Sequence, residues 1–208
     1  MKKRPTFDVI IVGGGLAGLT SAIHLSKQNK EVLLVEKNEY PKHKVCGEYI
    51  SNEVLPYLNS LGIYPLSEGA KQITKVHIST IKSNLIKGEL PLGGFGMSRY
   101  FLDDLLVKKA RSNGVKILKD TVDSIHFKKD SFTITTKSSG VFQSKITIGA
   151  FGKRSSLDQK MKRKFIQKKS PYLAVKIHVK GVFPENLVAL HNFKGGYCGV
   201  SKVEDNAI

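Results

Sequence analysis

A chain of 208 residues with ordinary apolar content can bury a sizeable core and fits one large domain, or one and a half smaller ones. Its 34 Lys+Arg against 17 Asp+Glu give a formal net charge of +17, yet the lysines are dispersed. The densest basic run, 160–169, carries no aromatic-interleaved recognition pattern, so the charge argues for anionic ligands and a solvated surface, not for nucleic acid as the main partner.

The first segment, MKKRPTF, resembles the charged region of a signal peptide. The apolar run behind it is only about five residues long and then meets three glycines. That is too short for a signal core or a membrane span, so the expected compartment is cytoplasmic, with peripheral membrane contact left open. Cys46 and Cys198 are the only cysteines, which excludes a disulfide framework. His43 and Cys46 lack the further ligands of a zinc site, so no metal is expected.

Residues 8–36 carry the strongest signal. The apolar run Val9–Val12 leads into Gly13-Gly14-Gly15-Leu16-Ala17-Gly18, which fits G-x-G-x-x-G. A helix is predicted over Leu16–Lys27, then a second apolar strand over Val32–Val35 that ends at Glu36. Strand, glycine turn, helix, strand and acid together form the dinucleotide-binding pattern. Gly13 allows the turn, Gly15 lets the backbone approach a pyrophosphate, and Gly18 lets the helix pack closely. Free N–H groups at the helix start, including those of Leu16 and Ala17, favour the diphosphate. Glu36, 18 residues after Gly18, can accept hydrogen bonds from an adenosine ribose and would repel a 2′-phosphate.

Further on, residues 37–50 read as a polar loop and Ser51 as the N-cap of a helix to about Leu61, stopped by Gly62. Two strands are predicted within 72–90, and Pro91–Gly96 reads as a flexible turn. Ser98 caps a helix from Arg99 to about Asn113. Val115–Leu118 is a candidate third parallel strand, and Val122–Phe127 with Ser131–Thr136 a hairpin. Val141–Ala150 is a strand ending in Gly149-Ala150-Phe151-Gly152. Tyr172–Val179, Leu187–Phe193 and Tyr197–Val203 are strand-like. The expected layout interleaves a nucleotide-binding α/β domain (6–70 and 98–165) with a β-rich substrate domain (71–97 and 166–208).

Four motifs occur in an informative order: the glycine loop, PKHKVCGEYIS at 41–51, SRYFLDDLLVKKA at 98–110 and GAFGKRSSLD at 149–158. In this order the chain resembles FAD-dependent oxidoreductases of the group that includes geranylgeranyl reductases and aromatic hydroxylases of the p-hydroxybenzoate hydroxylase type. The P-x-x-K-x-C-G run is similar to the geranylgeranyl reductase branch. The resemblance implies a Rossmann-like FAD/NAD(P)-binding domain of α/β class with an interleaved β-rich substrate domain. It implies that Gly13, Gly15 and Gly18 hold the FAD diphosphate and that Glu36 binds the ribose. Lys37 flanks the adenine, and Val122 meets its edge through the backbone. Cys46 and Gly47 lie near the isoalloxazine or the substrate channel, and Arg99 reaches the diphosphate or ribityl region. Gly149 and Gly152 belong to a second cofactor motif. No catalytic residue is assigned; Cys46 is a candidate, weighed against an inert thiol.

Two departures matter. The second motif of the hydroxylases reads Gly-Ala-Asp-Gly, whereas Phe151 stands in place of the acid here. A further Gly-Asp motif is absent after residue 158, so the resemblance implies an N-terminal portion, incomplete at the C-terminus, with a free sheet edge and an open flavin site. The expected activity is FAD-dependent reduction of an apolar or isoprenoid small molecule. The alternatives are an FAD- and NAD(P)H-dependent monooxygenase and a non-catalytic nucleotide-binding fragment. Oligomeric state is not legible.

Overall fold

The computed structural model describes residues 4–153, 155–167 and 170–208. Arg154, Lys168 and Lys169 of the basic region lie outside them. The chain divides into two compact units, Met1–Pro41 with Asp103–Tyr172, and Lys42–Leu102 with Leu173–Ile208.

The first unit is built on a six-stranded sheet in the order β6-β2-β1-β9-β8-β7. β1 (Thr6–Val12) is flanked by two parallel neighbours, β2 (Val32–Glu36) and β9 (Val141–Gly149). All five residues of β2 are buried, which is why its sequence is a continuous apolar run without alternation. β6 (Lys116–Lys119) extends the parallel layer beside β2, as the short apolar segment suggested. β7 (Val122–Lys128) and β8 (Ser131–Thr136) form the expected hairpin, and β8 runs antiparallel to β9. Helix α1 (Leu16–Lys27) joins β1 to β2 and buries Gly18, Leu19, Ala22 and Ile23. A core of Phe7, Ile10, Val12, Leu33, Val35, Val122, Ile134 and Leu157 holds the unit together.

The second unit carries a five-stranded sheet in the order β11-β10-β4-β5-β3. Its strands are β3 (Tyr49–Ser51), β4 (Lys71–Ser79), β5 (Leu85–Gly96), β10 (Leu187–Phe193) and β11 (Gly196–Ser201). Residues 42–70 group with this unit, because β3 pairs with β5. The helix expected after Ser51 begins as a 3-10 turn, Asn52–Val54, and continues as α2 (Leu55–Ser60).

Two expectations are corrected. Pro91–Gly96 is not a flexible turn but the second half of β5, pairing with β3 and β4. Its glycines serve close packing: a Cβ on Gly94 would lie 2.4 Å from the Tyr49 ring, and one on Gly96 1.9 Å from the Lys202 carbonyl oxygen. Tyr172–Val179 has the alternation of a strand, but among the described residues it forms no ladder, and its backbone bonds that of Ile208 at Val179. Without a partner strand, Leu173 and Ile177 stay 88% and 71% exposed.

Helix α3 (Arg99–Ser112) starts in the second unit and continues into the first. The Ser98 hydroxyl accepts the Phe101 N–H at 3.1 Å, and the Ser98 N–H donates to Glu204 at 2.8 Å. A short helix, α4 (Ser156–Lys160), capped by Ser155, was not anticipated.

Candidate functional site

The glycine loop lies between β1 and α1 in the first unit. Gly13 has φ +105°, and a Cβ there would lie 2.4 Å from the Ala150 carbonyl oxygen. The 149–152 segment therefore passes directly against the loop, and the Ala150 N–H donates to Val12 at 2.8 Å. A Cβ on Gly18 would lie 1.9 Å from the Gly13 carbonyl oxygen, which enforces the tight α1 packing. Gly15 is the N-cap of α1, and no side chain caps that end. Leu16 is half-buried and Ala17 exposed in the first turn.

Glu36 closes the arrangement from the end of β2. It is only 8% exposed. One carboxylate oxygen accepts the Gly14 N–H at 2.7 Å; the other accepts the Asn38 backbone N–H at 3.0 Å and its side-chain amide at 2.6 Å. Glu36 thus places a carboxylate, the acceptor a ribose hydroxyl needs, at the end of β2 beside the loop. The Tyr40 hydroxyl donates to the Gly14 carbonyl at 2.6 Å. Burial pushes the Tyr40 phenol well above its ordinary value, and the Glu36 and Asp103 carboxylates add to this, so it remains a neutral donor.

Sequence reading passed over Gly14, Asn38 and Tyr40. The signal was a third consecutive glycine: a Cβ on Gly14 would meet the Tyr40 hydroxyl at 1.8 Å. Lys37 is exposed beside Glu36. Val122 is buried in the core and paired with Thr136. Gly152 has φ +73° with open space around it, so its conformation, not its packing, calls for glycine. The uncapped helix start, the constrained glycines and the carboxylate at the β2 end fit a dinucleotide.

The other expected residues fall in the second unit. Cys46 is half-buried, and its sulfur accepts the Glu48 N–H at 3.5 Å. Nothing lies within 4 Å of a Cβ built on Gly47. Arg99 opens α3 and donates its backbone N–H to Glu48 at 2.7 Å. Glu48 is the centre here, and the sequence did not single it out. It is 4% exposed, with Lys176 Nζ at 2.7 Å and His178 Nε2 at 2.6 Å. Burial opposes its charge, but the hydrogen bonds from Lys176, His178 and Arg99 outweigh it and hold the carboxyl below its ordinary value. His43 stacks on Tyr100, with ring centroids 4.7 Å apart, and meets His178 edge-on at 5.4 Å.

Comparison with known proteins agrees with the first unit's geometry. Residues 8–47 match the family model for FAD dependent oxidoreductases. The chain is a relative of the FAD-dependent oxidoreductases. It is 31% identical over 203 residues to an FAD-dependent monooxygenase of Aspergillus fumigatus, covering 89% of this chain and 39% of that protein. It is 26% identical over 161 residues to a digeranylgeranylglycerophospholipid reductase of Methanococcus vannielii, covering 74% and 40%. A geranylgeranyl bacteriochlorophyll reductase-like protein of Thermoplasma acidophilum shares the fold, with TM-score 0.76, 18% identity and coverage of 98% of this chain and 55% of that one. The chain thus spans about two fifths of the length of these curated relatives. Among its described residues no helix is long and apolar enough to cross a membrane.

Proposed function

We propose that the first unit binds FAD and that the protein is an oxidoreductase for an apolar, isoprenoid-like small molecule. The Glu36–Gly14 hydrogen bond carries the cofactor reading. It fixes the loop carbonyls and N–H groups while leaving the α1 start without a side-chain cap. An anion there would meet free N–H groups and the positive end of the helix dipole.

In this reading the loop from Gly13 to Gly18 holds the diphosphate, and the Glu36 carboxylate accepts from the adenosine ribose. Lys37 flanks the adenine, and Gly152 keeps the neighbouring loop in its left-handed turn. Likeness of the P-x-x-K-x-C-G run to the reductases assigns Cys46 and Gly47 a role with flavin or substrate. FAD, when bound, supplies the hydride or electron chemistry, with NAD(P)H as the donor.

The reductase reading draws on the P-x-x-K-x-C-G run and on the lipid reductase relative. A monooxygenase is the second reading, favoured by the fungal relative, which matches more of this chain at higher identity. The first test is the visible spectrum of the purified chain after incubation with FAD and gel filtration. A retained flavin band is expected; a colourless protein would leave only nucleotide-fragment binding. Oxygen uptake coupled to NAD(P)H oxidation would then favour the monooxygenase, and anaerobic oxidation by an isoprenoid alkene the reductase.

A further inference from the structure

Two adjacent hairpin tips of the second unit combine exposed apolar side chains with lysines. The loop between β4 and β5 presents Ile81 followed by Lys82; at the β10–β11 turn, Phe193, the last residue of β10, is followed by Lys194. Ile81 is 67% exposed and Phe193 54%, and Ile86 and Tyr197 beside them are exposed to a similar degree. Solvated hairpin tips usually carry turn residues and charges, so four large exposed apolar side chains here call for a partner.

The tips are held together as one surface. β4 and β10 are parallel neighbours, with Ser79 opposite His191. The Asn192 amide donates to the Ser79 carbonyl at 2.8 Å, and Ser79 Oγ lies 3.1 Å from His191 Nδ1. Within the first loop Thr80 N–H donates to Asn84 at 2.9 Å, and Asn84 N–H to the Thr80 hydroxyl at 3.2 Å. A shallow open cleft of about 530 Å³ runs between the tips, lined by Ile81, Lys82, Asn192 and Phe193.

We propose that these two tips dock the protein onto an anionic lipid bilayer. The argument is charge combined with amphipathic order. Residues 77–88 and 186–201 contain Lys82, Lys87 and Lys194 and not one carboxylate. An apolar side chain at each apex can enter the acyl boundary while the lysine next to it stays at the phosphates. Tyr197 has the amphipathic ring favoured at that interface. A protein partner would be expected to offer pairing for the exposed backbone as well, and a neutral apolar ligand leaves the lysines unexplained. The net charge of +17 adds long-range attraction to the same surface. The inference stands on the second unit alone and does not depend on flavin binding.

The test is co-sedimentation of the full chain with vesicles of phosphatidylcholine alone and of phosphatidylcholine with phosphatidylserine. Binding is expected to the anionic vesicles and to fall with added salt. The double variant Ile81→Glu/Phe193→Glu is expected to bind at least tenfold more weakly. Lys82→Glu/Lys194→Glu is expected to lose more than about 25-fold, at about fivefold per lysine removed. Lys162→Glu/Lys164→Glu, an equal charge change in the first unit, is expected to retain most of the binding. All sites are exposed, and unchanged circular dichroism confirms folding. Equal loss in the Lys162/Lys164 variant would mean diffuse attraction and overturn the proposal. So would equal binding to neutral vesicles. A wild-type dimer in gel filtration that the Ile81/Phe193 variant dissociates, without vesicle binding, would assign the surface to a second copy instead.

Discussion

The Glu36 carboxylate accepts the backbone N–H of Gly14 at 2.7 Å, across 22 residues of sequence. The acid at the end of the second strand thus organises the glycine loop before any ligand arrives. Hydrogen bonds to a charged group contribute about 1.5–3 kcal/mol. Glu36→Gln keeps the shape but removes the charge and replaces one acceptor oxygen with an NH2 donor, so affinity for ADP or FAD should fall about tenfold. Glu36→Arg should abolish binding, since it removes the loop's anchor and the ribose acceptor together. Titration calorimetry with ADP reads both. Unchanged affinity in either variant would make Glu36 a structural acid only.

The glycines separate into those required by packing and those required by conformation. At Gly18 a Cβ would lie 1.9 Å from a backbone oxygen, which cannot step aside. Gly18→Ala should cost roughly 2–4 kcal/mol and lower Tm by roughly 5–15 °C. At Gly14 the clash is with the Tyr40 hydroxyl, a side-chain atom. Tyr40→Phe should therefore recover part of the loss caused by Gly14→Ala. Gly152→Ala meets only the left-handed backbone and should cost about 1 kcal/mol. Gly47→Ala should change stability by less than about 0.5 kcal/mol, since nothing crowds it. Thermal melts of the five variants would rank them.

Much of this was legible in the sequence because local and global signals agreed. The run from Val9 to Glu36 is both locally patterned and centrally buried, so strand, loop, helix and strand could be read in place. PLGGFG was not, because its glycines suggest a turn until the Tyr49 ring and the Lys202 carbonyl are seen against them. The alternation of 172–179 was real, but alternation promises a sheet face and cannot supply a partner strand. Its other face is used instead: Lys176 and His178 grip Glu48 across 128 and 130 residues, a pairing without local signature.

That grip yields a pH prediction. The Glu48 carboxyl lies below its ordinary value of 4.5 when folded. Its contribution is complete above the unfolded carboxyl's range and is lost as pH falls through the folded value. Acidification through that window should free the 173–180 segment, which has little backbone pairing of its own. Glu48→Gln should reproduce the release at neutral pH and cost about 2–4 kcal/mol, by leaving the Lys176 ammonium without a counter-charge and His178 without its carboxylate partner. Hydrogen exchange across 173–180 is the measurement. Equal protection in wild type and variant at neutral pH would mean that the segment is held by other contacts.

Asp120 is the corresponding clasp in the first unit. It is 8% exposed at the end of β6, and its carboxylate accepts the N–H groups of Thr121 at 2.6 Å, Ser138 at 3.1 Å and Ser139 at 2.7 Å. Burial disfavours the charge, but these hydrogen bonds more than compensate and drive the carboxyl far below its ordinary 3.8. The stabilisation is present above the unfolded carboxyl's range and fades only in strong acid, at lower pH than that of an exposed aspartate. Asp120→Asn keeps one acceptor oxygen and introduces an amide facing backbone donors. It should cost about 1–3 kcal/mol near neutral pH, with the difference from wild type shrinking as acid protonates Asp120. Urea unfolding at neutral pH and in strong acid reads both terms, and a pH-independent difference would exclude the charge as its cause.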